Sequence, residues 1–186
     1  CALPISNDAY AYAKRGMLVR LEALREESVL ESCYCIPANI YGPHDNFHPQ
    51  HSHVVPALVR RFVEATDDGL PRVEIWGGGG AKRDFLYVDD CIDAMLAIAG
   101  AGFAGPINVG TGELTTIGEL AEAISAGAGF SGEIIYDRSM PEGQAERHLA
   151  LNKVQTLGWT PRTLLKDGLA KTIDWFREHR AAVRER

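Results

Sequence analysis

Short apolar segments of strand length alternate with segments of helix length along the whole chain. The strand-like segments are 32–38, 73–76, 84–88, 107–109 and 134–136. The helix-like segments are 8–28, 54–65, a segment opening at 89, 116–127, 151–157 and 164–180. Because strands that alternate with helices favour a layered sheet, the chain is predicted to have an α/β fold.

Two helix starts carry clear signals. Asp89 and Asp90 stand where acidic side chains interact favourably with the positive end of a helix dipole. Thr116 is followed three residues later by Glu119, which is the spacing of a capping box. Both positions are therefore predicted to begin helices.

Composition narrows the classes of partner. The 186 residues include 19 Lys and Arg against 25 Asp and Glu, for a formal net charge of −6. This balance argues against broad nucleic-acid binding, although a local basic pocket remains compatible with it. No apolar stretch has the length of a transmembrane helix, so no membrane partner is expected.

The four cysteines, Cys1, Cys33, Cys35 and Cys91, lack the CxxC spacing of a zinc or redox pair. On a strand, Cys33 and Cys35 are expected to point to opposite faces. Buried free thiols in a reducing, cytoplasmic compartment are the favoured interpretation.

The chain begins with a cysteine and shows neither a basic region nor an apolar signal segment. We expect it to be a fragment that begins inside a longer protein. No strand is followed by G-x-G-x-x-G, the loop that binds dinucleotide phosphates. The run Gly77–Gly80 lies between two predicted strands, where it is expected to permit unusual backbone angles or a close approach to a ligand.

Tyr10 and Lys14 are four residues apart and share one face of the first predicted helix. A nearby ammonium favours the phenolate form, which makes the phenol a usable acid toward a carbonyl oxygen during hydride transfer. On spacing alone, an accidental pair on a solvated helix is the simpler interpretation.

A loop rich in Pro and Gly, residues 37–43, follows directly after a buried strand. Open α/β sheets bind ligands at the carboxyl ends of their strands. The backbone N–H groups of this loop and the Asn39 amide are placed to reach a phosphate or a ribose. An ordinary turn explains the same sequence equally well.

Four histidines and an aspartate crowd the next loop: His44, Asp45, His48, His51 and His53. Imidazole suits zinc, but the spacing matches no familiar zinc pattern. A single histidine acting as a proton donor is the favoured interpretation, and no metal site is predicted.

Basic and aromatic residues occur between this loop and the predicted strand 84–88, namely Arg60, Arg61, Trp76, Lys82 and Arg83. Guanidinium groups bind phosphates in a bidentate manner, and an indole offers a stacking face. A pyrophosphate contact is predicted here, whereas Arg60 is favoured as a solvated helix charge.

Several motifs agree in order and spacing with one family. They are Tyr10-x-x-x-Lys14, Asn39-x-Tyr41-Gly42-Pro43, Arg83-Asp84-Phe85-x-x-Val88-Asp89-Asp90 and Asn108-Val109-Gly110-Thr111-Gly112. Together they resemble the extended short-chain dehydrogenase/reductase family. The run 41–49, followed by 52–54 and 56–58, is closely similar to the GDP-L-fucose synthases within it.

The resemblance implies an NADPH-dependent epimerase/reductase acting on GDP-4-keto-6-deoxy-D-mannose. Its catalytic residues would be Tyr10, Lys14 and His53. The cofactor would be NADP, held by Tyr10, Lys14, Pro37, Ala38, Asn39, Ile40 and His53. The substrate would be held by Asn39, Arg61, Trp76, Arg83, Glu142 and Arg147.

The resemblance also implies an organisation. Residues 1–53 would be the tail of the NADP-binding Rossmann domain, and residues 54–186 mainly the GDP-sugar-binding domain, with some segments returning to the Rossmann sheet. A homodimer through the Tyr10 helix is implied. The nucleotide-binding glycines and the catalytic Ser and Cys of the family would lie upstream of Tyr10, so the fragment alone is expected to be inactive.

Departures from the family pattern keep alternatives open. Glu142 replaces an Asp, Arg147 replaces a Lys, Glu146 stands where a basic residue is usual, and Ala150 replaces an Asp. A related GDP-deoxyhexose epimerase/reductase of the colitose type is therefore an alternative. A non-catalytic GDP-sugar-binding module is another.

Overall fold

The computed structural model describes residues 8–140 and 143–184, which form six helices and eight strands. The helices are α1 (Asp8–Glu26), α2 (Val54–Asp67), α3 (Val88–Gly100), α4 (Ile117–Ala128), α5 (Asn152–Thr156) and α6 (Leu165–Arg184). The strands are β1 (Cys33–Pro37), β2 (Asn39–Tyr41), β3 (Arg72–Trp76), β4 (Lys82–Arg83), β5 (Phe85–Tyr87), β6 (Gly105–Val109), β7 (Thr115–Thr116) and β8 (Glu133–Asp137). Among the described residues, no helix combines the length and hydrophobicity needed to cross a membrane.

Parallel pairing between distant segments organises the sheets. β1 pairs with β6, β2 with β5 and β3 with β8, all parallel, whereas β4 and β7 are antiparallel. The β1–β6 register runs from Cys33 opposite Gly105 to Pro37 opposite Val109. Parallel partners need a crossover connection, and helices supply it here. The predicted α/β fold is confirmed.

Two apolar clusters hold these elements together. The first lies between α2, α4, α6 and the β3–β8 pair, and its buried side chains include Val59, Phe62, Leu120, Ile124, Ile173 and Phe176. The second packs α3 and α5 against β5 and β6, and includes Leu86, Ala94, Ile98, Ile107, Val109 and Val154. The chain therefore has two separate apolar cores.

The longer predicted elements are present, with bounds that shift by a few residues. The predicted loop 37–43 is wrong in part, because Asn39–Tyr41 forms β2 against β5. The short strands β4 and β7 were also not predicted. Strands of two or three residues have no measurable hydrophobic period, and a distant partner decides whether they form.

Cys33 and Cys35 lie on the same face of β1, so the expectation of opposite faces is wrong. Their sulfur atoms are 3.8 Å apart. Side chains in a strand repeat every two residues, which places positions i and i+2 together. Both thiols are half-buried, Cys91 is buried, and all three are free; Cys1 lies outside the described residues. Burial raises the pKa of Cys33 to about 11, with Cys35 adding to the effect.

The glycine run behaves as its composition suggests. Gly77 and Gly79 have φ angles of 82° and 76°, in the region that favours glycine. A Cβ at Gly79 would lie 2.6 Å from the ring of Tyr136. The close approach at Gly79 is therefore to a side chain of the protein itself.

The capping box at α4 is confirmed. The Thr116 hydroxyl accepts a bond from the Glu119 backbone N–H at 3.0 Å, and the Glu119 carboxylate accepts one from the Thr116 N–H at 2.8 Å. Gly129, with φ 69°, ends the helix. Since α4 packs against α2 and α6 in the first apolar cluster, its start helps to set that core.

Replacing the cap residue should lower the stability of the fold. We expect Thr116→Ala to reduce the free energy of unfolding by about 1 kcal/mol, because one helix N–H loses its acceptor. Urea unfolding of this chain measures the change. Thr116→Ser, which keeps the hydroxyl, should restore most of the loss, and the exposed Thr160→Ala is the matched control. Equal stability of Thr116→Ala and Thr160→Ala would contradict the role of the cap.

Candidate active site

A cleft of about 940 Å³ opens beside the carboxyl ends of β1 and β2. α1 lines one part of it, and the segment from β1 through β2 to the start of α2 lines another. The polar residues along it include Tyr10, Lys14, Asn39, His44, Asp45, His53, Asp84 and Arg147. Sequence segments more than a hundred residues apart therefore share this space.

Tyr10 and Lys14 reach the cleft from α1. The Lys14 ammonium nitrogen lies 5.5 Å from the centroid of the Tyr10 ring. Tyr10 is 67% exposed. The hydroxyl of Tyr34 donates to the Lys14 carbonyl at 3.0 Å, which ties α1 to β1. Both groups are thus accessible to a ligand in the cleft.

The segment 37–40 lines the cleft, as predicted, but its N–H groups are not all available. The Ala38 N–H donates to the Val109 carbonyl at 2.7 Å. The Asn39 N–H and side-chain amide both donate to the Asp84 carbonyl, at 3.1 and 2.8 Å. The expected use of the Ala38 and Asn39 backbone N–H groups for phosphate binding is therefore wrong, because strand pairing already satisfies them.

His53 and Asp45 both line the cleft and interact electrostatically. His53 is exposed and is the N-cap residue of α2, yet its side chain makes no capping bond. Burial raises the pKa of the Asp45 carboxyl, while a bond from the Asn46 N–H and the charge of His53 partly oppose that rise. The imidazole is therefore free to meet a ligand next to a carboxyl that burial makes less acidic.

The other loop histidines diverge from His53. His44 has φ 66°, and its ring packs 4.7 Å from that of Trp175 on α6. His48 and His51 stack on each other at 4.7 Å. Within residues 8–140 and 143–184, no group of three or more His, Cys, Asp or Glu side chains is arranged to hold a metal ion.

Of the predicted substrate contacts, Asn39 and Arg147 line this cleft, whereas Arg61, Trp76 and Arg83 lie outside its lining. The Arg61 guanidinium lies 5.6 Å from the ring centre of Trp76, which is 60% exposed. Arg83 donates to the carbonyl of Lys82 at 2.7 Å. Arg61 and Trp76 form a pair, called here the outer cluster, whereas Arg83 lies on β4.

Three further predicted residues are Arg60, Glu142 and Lys82. Arg60 forms an ion pair with Glu64 at 3.2 Å and donates to the Phe47 carbonyl at 3.0 Å; its side chain is only 14% exposed, so the expectation of a solvated helix charge is wrong. Glu142 lies outside the described residues. Lys82 is exposed and uses its backbone N–H to bond the Ala145 carbonyl at 2.8 Å, which holds the loop that leads to Arg147.

Asp84 is a site residue that the sequence analysis did not single out. It lines the cleft and is only 3% exposed. Its carboxylate accepts bonds from the N–H and hydroxyl of Thr111 and from the N–H of Gly112. The motif Arg83-Asp84-Phe85 marked the position, but a buried carboxylate bonded to a turn 27 residues away leaves no local sequence signal.

The cleft therefore combines a phenol beside an ammonium, an exposed imidazole and a guanidinium. Such groups can donate protons to oxygen and carbon and can bind an anionic ligand. The sequence analysis predicted each of these four residues, and the structure brings them to one cleft. Their chemical roles stay predictions.

Comparison with known proteins gives consistent relatives. GDP-L-fucose synthase 1 from Arabidopsis thaliana is 40% identical over 94% of this chain and 54% of its own length. GDP-L-colitose synthase from Yersinia pseudotuberculosis is 34% identical over 94% of this chain and 58% of its own. The crystal structure of a GDP-L-fucose synthetase from Naegleria fowleri bound to NADP matches with a TM-score of 0.89, at 30% identity, over 97% of this chain and 59% of that one.

These matches confirm the resemblance to GDP-L-fucose synthases that the sequence motifs indicated. The chain spans about half the length of the curated relatives it matches. The family model described as the NAD dependent epimerase/dehydratase family matches residues 3–110, which is more than half of the chain. The chain belongs to the NAD-dependent epimerase/dehydratase family.

Proposed function

We propose that this chain is the substrate-binding portion of an NADP-dependent GDP-L-fucose synthase, an enzyme that converts GDP-4-keto-6-deoxy-D-mannose to GDP-L-fucose. One observation carries the proposal: a single cleft is lined by Tyr10, Lys14, the segment 37–40 and His53. The residues proposed for reduction and for epimerisation thus line one space, which a single substrate could occupy. The enzymatic relatives at 34–40% identity support the same assignment.

Reduction at C4 requires a proton for the developing alkoxide oxygen. Tyr10 supplies it from its hydroxyl, and the ammonium of Lys14, 5.5 Å from the ring centroid, stabilises the phenolate left behind. The exposure of both groups to the cleft allows them to meet a substrate oxygen.

Epimerisation at C3 and C5 requires proton removal and return at carbon. The 4-keto oxygen stabilises the enolate formed at each step, so one oxyanion position serves both stages. His53 returns a proton to carbon, because its imidazole is exposed and lines the cleft. The charge of His53 in turn lowers the pKa of the Asp45 carboxyl, which partly offsets the rise caused by burial.

The residues present fit the nicotinamide end of NADP. The cleft beside the segment 37–40 is wide and open, and the carboxyl ends of parallel strands are where such folds bind cofactors. When bound, the cofactor supplies the hydride. Lys14 would hold its ribose, and the main chain of Pro37–Ile40 would contact the nicotinamide ring.

The nucleotide part of the substrate would extend to the outer cluster. The exposed indole of Trp76 offers a stacking face for a base, and the guanidinium groups of Arg61 and Arg83 suit a diphosphate. Arg147 would connect the two regions, because it lines the cleft and follows the loop that Lys82 anchors. Asn39 and Glu142 complete the proposed substrate contacts.

A second candidate function is the colitose type, in which a related GDP-deoxyhexose is the substrate. The 34% identity with a colitose synthase supports it. The residues that depart from the family pattern, Glu142, Glu146 and Ala150, flank Arg147 in the sequence. Because Arg147 lines the cleft, these departures are placed to change the preference for the sugar. Turnover of each GDP-sugar by one protein distinguishes the two activities.

The proposed organisation follows the two apolar clusters. The second cluster, with β1 and β6, belongs to the end of a cofactor-binding sheet formed by residues 1–53 and returning segments. The first cluster, with α2, α4 and α6, belongs to the substrate domain of residues 54–186. We place the protein in the cytoplasm, because this reducing compartment keeps thiols free and contains nucleotide sugars.

A homodimer through α1 is part of the proposal. Tyr12 and Val19 are seven residues apart, so they share one face of this helix, and they are 74% and 58% exposed. A partner copy that covers this face would bury it.

Two substitutions should separate the chemical stages in the longest protein that contains this chain. Tyr10→Phe should slow reduction by about 100-fold or more, because the acid is lost, while solvent-proton exchange at C3 and C5 continues. His53→Gln should impair exchange most. NADPH absorbance follows reduction, and mass spectrometry in deuterated water follows exchange.

Matched controls exist for both substitutions. Tyr12→Phe changes an equally exposed tyrosine on the same helix, and His51→Gln changes a histidine of the same loop; neither residue lines the cleft. Both controls should behave like the unchanged protein. Full reduction by Tyr10→Phe would rule out its role as the acid.

The dimer is tested by mass in solution. Light scattering at micromolar concentration should give twice the mass of one chain, and Val19→Glu should lower it by placing a charge in the apolar face. Ala170→Glu adds the same charge at an exposed position of α6 and should leave the mass unchanged. A monomeric mass for the unchanged protein would contradict the proposed dimer.

A further inference from the structure

Three segments meet at the floor of the cleft, at the carboxyl ends of β1 and β6. Asp84 lies between β4 and β5. It contacts the segment that follows β1 and the turn that follows β6. It is 3% exposed. Such a position requires that every oxygen of its carboxylate be satisfied by the protein, since a charge removed from water is otherwise costly.

The carboxylate holds the turn after β6. Oδ1 accepts from the Thr111 N–H at 3.1 Å and from the Thr111 hydroxyl at 2.6 Å, and Oδ2 accepts from the Gly112 N–H at 2.9 Å. The donors are neutral. Among the described residues, the ion pairs are Arg60 with Glu64 and Arg180 with Asp67, so no ion pair involves Asp84.

The main chain of the same residue holds the turn after β1. The Asp84 carbonyl accepts both from the Asn39 N–H at 3.1 Å and from the Asn39 side-chain amide at 2.8 Å. The neighbouring Ala38 N–H bonds directly to the Val109 carbonyl at 2.7 Å. One residue therefore joins the two turns through different atoms.

The turn after β6 is shaped around this carboxylate. A Cβ at Gly110 would lie 2.5 Å from Asp84 Oδ2 and 3.3 Å from the Cβ of Ala38. Glycine at this position is what lets the carboxylate approach the turn. Close fit on both sides means that a change at Asp84 is transmitted to both turns.

We propose that Asp84 is a positioning residue that fixes the wall of the cleft formed by residues 37–39. Its carboxylate sets the turn at Thr111 and Gly112, its carbonyl sets Asn39, and the Ala38–Val109 bond locks the two turns together. That this wall faces a cofactor rests on the proposed function; the positioning itself rests on the contacts alone.

Removing the charge should disturb this junction in a specific way. Asp84→Asn keeps the shape and the main-chain carbonyl but replaces one acceptor oxygen by a donor NH₂ group. A donor would then face the donors of Thr111 or Gly112, and at least one bond would be lost. The disturbance should reach Asn39 through the shared residue.

A second buried carboxylate provides the matched control. Asp90 is 4% exposed and accepts the N–H groups of Arg162 and Thr163 at 3.2 and 2.9 Å. It does not line the cleft. Asp90→Asn should therefore cost similar stability without changing the cleft wall.

Amide hydrogen exchange in this chain tests the positioning without any ligand. In Asp84→Asn, exchange at Ala38, Asn39, Thr111 and Gly112 should accelerate by about tenfold or more, beyond the change at core amides. In Asp90→Asn, acceleration should be confined to 162–163. Unchanged exchange at Ala38 and Asn39 in Asp84→Asn would overturn the proposal.

Two milder variants serve if Asp84→Asn does not fold. Thr111→Val removes the hydroxyl, which donates to Asp84 at 2.6 Å and accepts from the Glu113 N–H at 3.1 Å, and Thr111→Ser keeps both bonds. Thr111→Val should accelerate exchange at Gly112 and Asn39, and Thr111→Ser should restore the slow rates. Identical exchange in the two variants would contradict a role for the Thr111–Asp84 bond in fixing the wall.

A kinetic measurement relates the wall to the cofactor in the longest protein that contains this chain. Asp84→Asn should raise the KM for NADPH by about fivefold or more, while Asp90→Asn, matched in lost thermal stability, should leave KM unchanged. Equal KM values for the two variants would overturn the link to the cofactor. If the unchanged protein does not oxidise NADPH, the proposed function fails, and the exchange rates alone decide the positioning.

Discussion

The parallel pairing of β1 with β6 is the constraint on which the site depends. Two segments separated by about seventy residues run side by side, so the turns that follow them open at the same edge. The bond from the Ala38 N–H to the Val109 carbonyl extends the pairing one residue beyond the strands. Asp84 then closes the junction, and the cleft forms against it.

The sequence predicted those features that depend on local chemistry. The helices with clear apolar stripes, such as α2, are present, and the capping box of Thr116 with Glu119 has both of its bonds. The family was identified because several short motifs, from Tyr10-x-x-x-Lys14 to Asn108–Gly112, agree in order and spacing. These features need only neighbours within a few residues.

What the sequence could not predict depends on distant partners. β2 forms because Phe85–Tyr87 lies beside it, and a three-residue segment carries no period of its own. The burial of Asp84 depends on a turn 27 residues downstream. The misplacement of Cys35 relative to Cys33 was an error in applying the strand period rather than a limit of the sequence.

The site has two parts with different physical characters. The cleft contains the groups proposed to move protons, Tyr10 and His53, and both line it. The outer cluster contains an exposed indole with a guanidinium beside it, which suits binding rather than chemistry. Arg147 lines the cleft at the end of a tethered loop. Under the proposed function, one GDP-sugar would span both parts, which explains why sugar preference is expected to depend on residues 142–150.

The identity of the product tests the central claim most directly. The longest protein that contains this chain would be incubated with GDP-4-keto-6-deoxy-D-mannose and NADPH, and the product identified by nuclear magnetic resonance. We predict GDP-L-fucose, with configuration inverted at C3 and C5 and the keto group reduced at C4. A reduced product that keeps the original configuration at C3 and C5, or the absence of any product, would contradict the account.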